Sequence, residues 1–429
     1  MKNFKKILAI LLSVLLIGGI FAACGTTPAP APEGEGEGSN PEGLNIKVGF
    51  IFLHDENSTY DKNFIDAANL ACENLGISAE NKIIRVNVPE DQACYEAAAE
   101  LAEAGCDFIF ADSFGHEDHL IQAAKEFPEV QFFHATGTKA HTEGLDNYHN
   151  AFASIYQGRY LAGIAAGMKL NAMIEAGEIT AEQAKIGYVG AFTYAEVISG
   201  FTSFFLGARS VCPSATMEVT FTGSWYDEAR EKEGSVKLIN NGCVLISQHA
   251  DSMGAPTACE EAGVPNVSYN GSTISVAPNT FIVSSRINWA PYMELAIKNV
   301  AEGKTTPVDW TGTIDTESVL LTEINKDVAA PGTEEAIAEA SAKLVAGTLH
   351  VFDTSTFTID LANNASKADF LKIDADGHVT SYLADVDTDD AFTGDTEVIK
   401  DGYFSESEFR SAPYFDLAID GIDLLDTAF

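Results

Sequence analysis

Residues 46–53 read Ile-Lys-Val-Gly-Phe-Ile-Phe-Leu (IKVGFIFL), and this short run decides the fold class. It is apolar on both faces and has the length of a strand, which suits a parallel strand covered by helices on each side. Toward the C-terminus, residues 61–75 then place Phe64, Ala67, Ala68, Ala71 and Leu75 at helical spacing. Strands are expected at 82–88, 107–111 and 130–134, with helices at 94–104 and about 117–126 between them. The pattern restarts with a helix at 156–170 and a strand at 185–191 (KIGYVGA). Helix 195–211, strand 216–222, helix 226–241, strand 243–247, a helix across Ala258 and strand 264–269 follow. Strand 281–287 (FIVSSRI) then leads into a helix at 289–301. Repeated βα units imply parallel sheets with helices on both faces. The expectation is an α/β chain of two doubly wound lobes with a hinge and a cleft between them.

Upstream of the first strand the chain changes character. Lys2, Lys5 and Lys6 precede an apolar stretch at 7–20, and Phe21-Ala22-Ala23-Cys24 closes it. The stretch is short for a membrane span and has the flanks of a secretory signal. Small residues before the cysteine resemble the bacterial lipobox, which implies acylation of the Cys24 thiol as the first residue of the mature chain. Residues 25–43 (GTTPAPAPEGEGEGSNPEG) carry no large apolar side chain and cannot offset their ordering entropy. A flexible coil of that length holds a folded body on the order of 25 Å from its anchor. The expected organisation is a signal peptide at 1–23 and a lipidated Cys24 with its tether at 24–43. An N-terminal lobe is expected at 45–151 plus 286–304, and a C-terminal lobe at 152–285 plus 305–429. The expected location is the extracytoplasmic face of the cell membrane, lipid-anchored, since no later segment approaches a transmembrane run.

Composition narrows the partners. The 429 residues are 46% hydrophobic, as in a globular chain, and 63 acids against 25 bases give a formal charge of −38. Removing the leader, with its three lysines and no acids, takes this to −41. Such a surface repels phosphate backbones, so nucleic-acid polymers are excluded as partners. After Cys24 the cysteines are Cys72, Cys94, Cys106, Cys212, Cys243 and Cys259, with no C-x-x-C pair and no zinc-ligand spacing with histidine. They read as small buried hydrophobes, although a disulfide outside the cytoplasm stays open. Asp374-Ala375-Asp376-Gly377 lacks the remaining ligands of a calcium loop and reads as a turn between strands. Residues 385–401 read as a solvated acidic surface. No metal and no cofactor is expected.

Ligands of doubly wound sheets bind outside the carboxyl ends of the strands. Asp55, Tyr60 and Phe64 follow the first strand, and Asp112, Ser113 and Phe114 the third. Phe192 and Glu196 follow the first strand of the second lobe, Trp225 the next, and Gln248, His249 and Asp251 the one after. Ser285, Asn288 and Trp289 lie where the chain crosses back. Several rings with carboxylates around one rim suit a flat nitrogen heterocycle better than a sugar, which needs less stacking and more polar groups. Alternatives stay open at each position: Phe64, Trp225 and Trp289 as core, Asp251 as a helix cap, Asp55 as a turn residue, His249 as a packed rim residue. Arg159 and Tyr160 read as structural, and Gly163 and Gly167 as points of close helix packing.

Several ordered blocks resemble one family. HATGTKA from His134, YQGRYLAGIAAG from Tyr156, FFLGARSV from Phe204, SWYDEAREKE from Ser224, SQHADS from Ser247 and INWAPY from Ile287 are similar to the basic membrane protein (PnrA-like) substrate-binding lipoproteins of ABC importers. The resemblance covers about 46–353 and is nearest to a branch associated with free purine bases such as adenine. It implies the type I periplasmic binding protein fold with two Rossmann-like lobes, an ABC permease as partner and a monomeric receptor. It also implies a purine ligand. On that pattern Phe64 matches the family's base-stacking ring and Asp251 an acidic cleft residue. Asn288 stands where nucleoside-binding members often carry lysine, a departure that favours a bare base over a nucleoside.

The expected ligand-binding set is therefore Asp55, Tyr60, Phe64, Ser113, Phe114, Phe192, Glu196, Trp225, His249, Asp251, Asn288 and Trp289. No G-x-S-x-G, H-E-x-x-H or phosphate-binding glycine loop is present, so a binding protein rather than an enzyme is expected. The alternatives are a receptor for a sugar or other small metabolite on the same fold, and a sensor lipoprotein not coupled to transport.

Overall fold

The computed structural model describes residues 43–386 and 394–426. The signal segment, Cys24 and all but the last residue of the tether lie outside the described residues. In chain order, β1 (Val48–Ile51), α1 (Thr59–Asn74), β2 (Lys82–Arg85), α2 (Gln92–Glu103), β3 (Phe108–Ala111), α3 (Glu117–Glu126), β4 (Gln131–Ala135), the single turn α4 (Ala140–Glu143) and β5 (Tyr148–Ala153) come first. Next are α5 (Ile155–Glu175), β6 (Lys185–Gly190), α6 (Ala195–Val211), β7 (Thr216–Phe221), α7 (Glu228–Asn240), β8 (Leu245–Gln248), α8 (Gly254–Ala262), β9 (Asn266–Tyr269) and β10 (Phe281–Ile287). α9 (Ala290–Ala301), β11 (Asp309–Gly312), β12 (Val319–Leu321) and α10 (Thr333–Val345) follow.

The first sheet is parallel throughout, in the order β11-β5-β4-β3-β1-β2. Its strands alternate by the pleat. Phe50, Phe108, Phe110 and Phe133 face a core shared with Phe64 of α1 and Tyr292 of α9. Ile51, Ile109 and Phe132 face Leu101 of α2 and Leu120 of α3. α1 starts where Ser58 caps it, its hydroxyl accepting from the Asp61 amide at 3.1 Å.

The second sheet runs β12-β10-β9-β8-β6-β7, then Ile422–Leu424 at the far edge, and only the β10–β12 pair is antiparallel. α5 and α6 pack closely because glycines stand at the contact. A Cβ on Gly163 would lie 2.0 Å from the Phe204 carbonyl oxygen, and one on Gly207 equally close to that of Tyr160.

Three segments cross between the lobes: β5 into α5, β10 into α9, and β11 into β12. They are pinned together, with Ser154 N donating to Gly312 O and Asn288 N to Ser318 O, both at 2.8 Å. The lobe boundaries differ from expectation at these crossings. β11 pairs with β5 in the first sheet, whereas residues from 305 onward are expected in the second lobe, and Arg286 and Ile287, expected in the first lobe, pair in the second sheet. β11 is a half-buried edge strand, Asp-Trp-Thr-Gly, with no apolar run to mark it.

The C-terminal segment completes the second lobe. Phe352, Phe357, Tyr382, Phe404 and Phe415 join the same core as α5 and α6. Asp374-Ala375-Asp376-Gly377 is the turn between Leu371–Ile373 and Val379–Ala384, with Asp374 accepting from the Asp376 and His378 amides. Among the described part of residues 385–401 the surface is not uniformly solvated: Val386 and Val398 are buried in that core. Residues 387–393 lie outside the described set. Cys72, Cys94, Cys106, Cys212, Cys243 and Cys259 are all buried and unpaired.

Candidate ligand-binding site

Strand ends from both sheets converge on a small cavity between the two lobes. Seven of the twelve expected residues line it: Tyr60, Ser113 and Phe114 from the first lobe, and Glu196, Trp225, His249 and Asp251 from the second. Each sits in the first residues after a strand, or in the first turn of the helix that follows. His54, Asp61, Thr136 and Tyr269 also line it and were not among the expected residues. Tyr269 ends β9, where Asn-Val-Ser-Tyr reads simply as strand.

The other five expected residues do not line the cavity. Phe64 is fully buried and stacks on Trp289, itself buried, with centroids 4.5 Å apart. Both rings belong to the first-lobe core, as aromatic residues at helix starts commonly do. Asp55 is tied into its own turn, Oδ1 accepting from Asn57 N at 3.0 Å and Asn57 Nδ2 at 2.7 Å. Asn288 belongs to the hinge, its amide group donating to Glu317 O at 3.0 Å. Phe192 stands behind the rim, between Tyr194 at 5.1 Å and Trp225 at 5.0 Å.

The two lobes touch across the cavity. Asp251 O accepts from Thr59 N at 3.0 Å and Thr59 Oγ1 at 3.1 Å, and Asn63 Nδ2 donates to Asn270 O at 2.7 Å. Phe114 of the first lobe stacks on Tyr194 of the second, with centroids 5.1 Å apart and planes 29° apart. Tyr194 was missed because a lone tyrosine in a polar turn gives no periodic signal.

Charge in the cavity is arranged in pairs. Asp251 is buried, and that burial, followed by the nearby Asp61, Glu231 and Glu196, raises its carboxyl well above the ordinary range. That shift favours the protonated form, in which a carboxyl group both donates and accepts. Its Oδ1 accepts from Asn270 Nδ2 at 3.1 Å. Beneath the floor, burial and Asp61 likewise raise Asp112. Burial pushes Asp61 up too, but hydrogen bonds from His54 and Ser58 outweigh it and keep Asp61 ionised. Tyr60 Oη donates to Asp112 O at 2.7 Å, which fixes the ring. His249 contacts Arg159 through Nδ1 at 2.6 Å and Glu196 through Nε2 at 3.2 Å, so neither nitrogen is left as a general base. Among the described residues no group of three or more His, Cys, Asp or Glu is placed to hold a metal. The arrangement offers ring faces and carboxyl groups, which is binding chemistry.

A family model for PnrA-like ABC transporter substrate-binding proteins (Bmp) matches residues 49–351, more than two thirds of the chain. The chain belongs to this family. This PnrA-like protein is 32% identical over 261 residues to a purine-binding protein of Brucella abortus, covering 60% of this chain and 69% of that one. It is 30% identical over 258 residues to a putative ABC transporter glucose-binding protein of Haloferax volcanii, covering 60% and 62% of the two chains. Its fold is that of type I solute-binding proteins. A solved solute-binding protein from Aeropyrum pernix K1 superposes with a TM-score of 0.62 at 18% identity, over 76% of this chain and 96% of that one. Another, from Conexibacter woesei, gives 0.58 at 20% identity, over 71% and 98%. The PnrA-like protein is accordingly an extracytoplasmic substrate-binding component of an ABC transporter, not an enzyme, with a small-molecule ligand and a permease partner. Among the described residues no helix is long and apolar enough to cross a membrane.

Proposed function

We propose that the cavity binds a purine base or nucleoside, adenine-like by preference, for delivery to the permease. The single observation that carries this reading is the combination of rings and acids at one place: Tyr60 and Phe114 from one lobe, Trp225, Tyr269, Glu196 and Asp251 from the other. A purine offers two π-faces and an edge of alternating donors and acceptors. Stacking contributes about 1–3 kcal/mol per base, so two rings and a few hydrogen bonds reach the ~8 kcal/mol of micromolar binding. The purine-binding relative supports the same ligand class. Because contacts come from both lobes, ligand favours the closed arrangement and drives closure by that difference in affinity. The protein works as a monomer, anchored through the acylated Cys24 and its tether. The glucose-binding relative gives the sugar alternative its one specific support.

Mass spectrometry of the protein extracted from its native membrane tests both halves. The expected result is a mature chain beginning at a diacylglyceryl- or triacyl-modified Cys24, with a purine released on denaturation. Calorimetric competition then ranks adenine, adenosine, guanosine, ribose and glucose, and adenine is expected to bind most tightly. Binding of a hexose with no purine would replace this reading with the sugar one, and an unmodified Cys24 would remove the anchor.

A further inference from the structure

Arg159 lies on α5, one turn after the chain enters the second lobe, and it is almost completely buried. It has no carboxylate partner among the described residues. Its Nη1 donates to Gln248 O at 3.0 Å, its Nη2 meets His249 Nδ1 at 2.6 Å, and its guanidinium carbon stands 3.5 Å from the centroid of the Tyr269 ring. Burying an unpaired guanidinium costs several kcal/mol, so a role beyond packing is indicated. The surroundings are shaped for it. Gly200 of α6 faces the pair, and a Cβ there would lie 2.8 Å from His249 Nδ1 and 3.3 Å from Arg159 Nη2.

The chemistry of the contact fixes a tautomer. A guanidinium carries only donors, so Nδ1 must be the acceptor and the ring proton must sit on Nε2. From there it donates to Glu196 Oε1 at 3.2 Å. Glu196 Oε2 has no partner among the described residues, and Glu196 lines the cavity. We propose that Arg159 is a positioning residue of the cavity: through His249 it occupies one oxygen of Glu196 and presents the other to the ligand as a fixed acceptor. Arg159 thereby selects heterocycles that bring an N–H, an exocyclic amine or a ring N–H, to that oxygen. Burial, and then the neighbouring Arg159 charge, push the His249 imidazole down to about 4, which keeps the relay neutral at its centre. This inference deepens the purine reading and rests on it for the ligand class; the tautomer assignment does not.

The test separates the two. In wild-type protein without ligand, long-range proton–nitrogen NMR of labelled histidine should show His249 with a bare Nδ1 and a protonated Nε2. A proton on Nδ1 in the wild type overturns the proposal whether or not purine binds. Arg159→Met removes the donors and should mix the tautomers. With adenine as the probe, it should weaken binding by about 10- to 100-fold, the loss expected for one hydrogen bond to a charged group. Arg159→Gln keeps a donor without the charge, so it should restore the tautomer and most of the affinity. A folded Arg159→Met protein with unchanged tautomer and unchanged adenine affinity would also overturn it. If Arg159→Met does not fold, the Arg159→Gln spectrum decides: a mixed tautomer with full adenine affinity sinks the proposal, and the wild-type tautomer sustains it. Wild-type protein that shows the stated tautomer but binds no purine sinks the ligand reading and leaves the relay standing.

Discussion

Both lobes place aromatic rings just beyond the ends of their parallel strands, but they use them differently. In the first lobe Phe64 and Trp289 are buried against each other, with Phe110 at 5.7 Å from Phe64, and only Tyr60 and Phe114 reach the cavity. In the second lobe Trp225 is half-buried at the rim and Tyr194 is exposed beside it, with the half-buried Phe192 packed behind both. Helix phase and depth explain the difference. Tyr60 and Phe64 are four residues apart on α1 and share a face, with rings 4.8 Å apart. The first meets the cavity and the second continues the same column into the sheet core. On α1 the ring in the first turn thus reaches the cavity, and the ring one turn later supports it.

That contrast can be broken most sharply at Phe64. Phe64→Ala should cost about 3–5 kcal/mol of stability, the range for truncating a buried phenylalanine, read as a large drop in melting temperature. Its effect on purine affinity in the remaining folded protein should be secondary. The opposite result, full stability with lost affinity, would put this ring in the site after all. Trp225→Ala probes the other side of the comparison. Trp225 is partly exposed and lines the cavity, so melting should barely move while adenine affinity falls by about 1–3 kcal/mol, the worth of one stacked ring. Unchanged calorimetric affinity would remove the proposed stacking role.

How much of this was legible in the sequence follows from the same physics. The sheets were, because parallel strands buried on both faces leave unbroken apolar runs such as Val48–Ile51 and Phe108–Ala111. β11 was not, because an edge strand covered on part of one face needs no such run. Ser113, Phe114, His249 and Asp251 were legible because their position after a strand fixes where they stand. Phe64 and Trp289 were placed at the ligand because position along the chain does not reveal depth. Tyr269 and Arg159 were hidden for the converse reason: one reads as strand and the other as helix, and only three-dimensional convergence brings them to His249. Two doubly wound lobes were readable from pattern alone, whereas the polar relay behind the cavity arises only from three-dimensional convergence.

The smallest effect concerns what stands behind the second-lobe rim. The first lobe backs its rings with its own sheet, but α6 is also braced by the C-terminal segment, beyond the family match. Ser199 Oγ donates to the buried Glu406 at 2.6 Å, and Tyr414 N and Phe415 N donate to its other oxygen. Burial raises the Glu406 carboxyl from 4.5 to about 7. A folded-state value above the unfolded one means that the native protein holds its proton longer. The associated stability is complete below the unfolded value and is lost as pH rises through the folded one. Wild-type protein should therefore lose stability between about pH 4.5 and 7. Glu406→Gln cannot titrate, yet its amide keeps an acceptor for the backbone donors and a donor for Ser199. It should flatten that fall by about 1–2 kcal/mol between pH 5 and 7, measured as the difference in denaturant midpoint at the two pH values. Parallel pH profiles for variant and wild type would mean that the brace does not depend on this proton, and that the second-lobe rim is as self-supporting as the first.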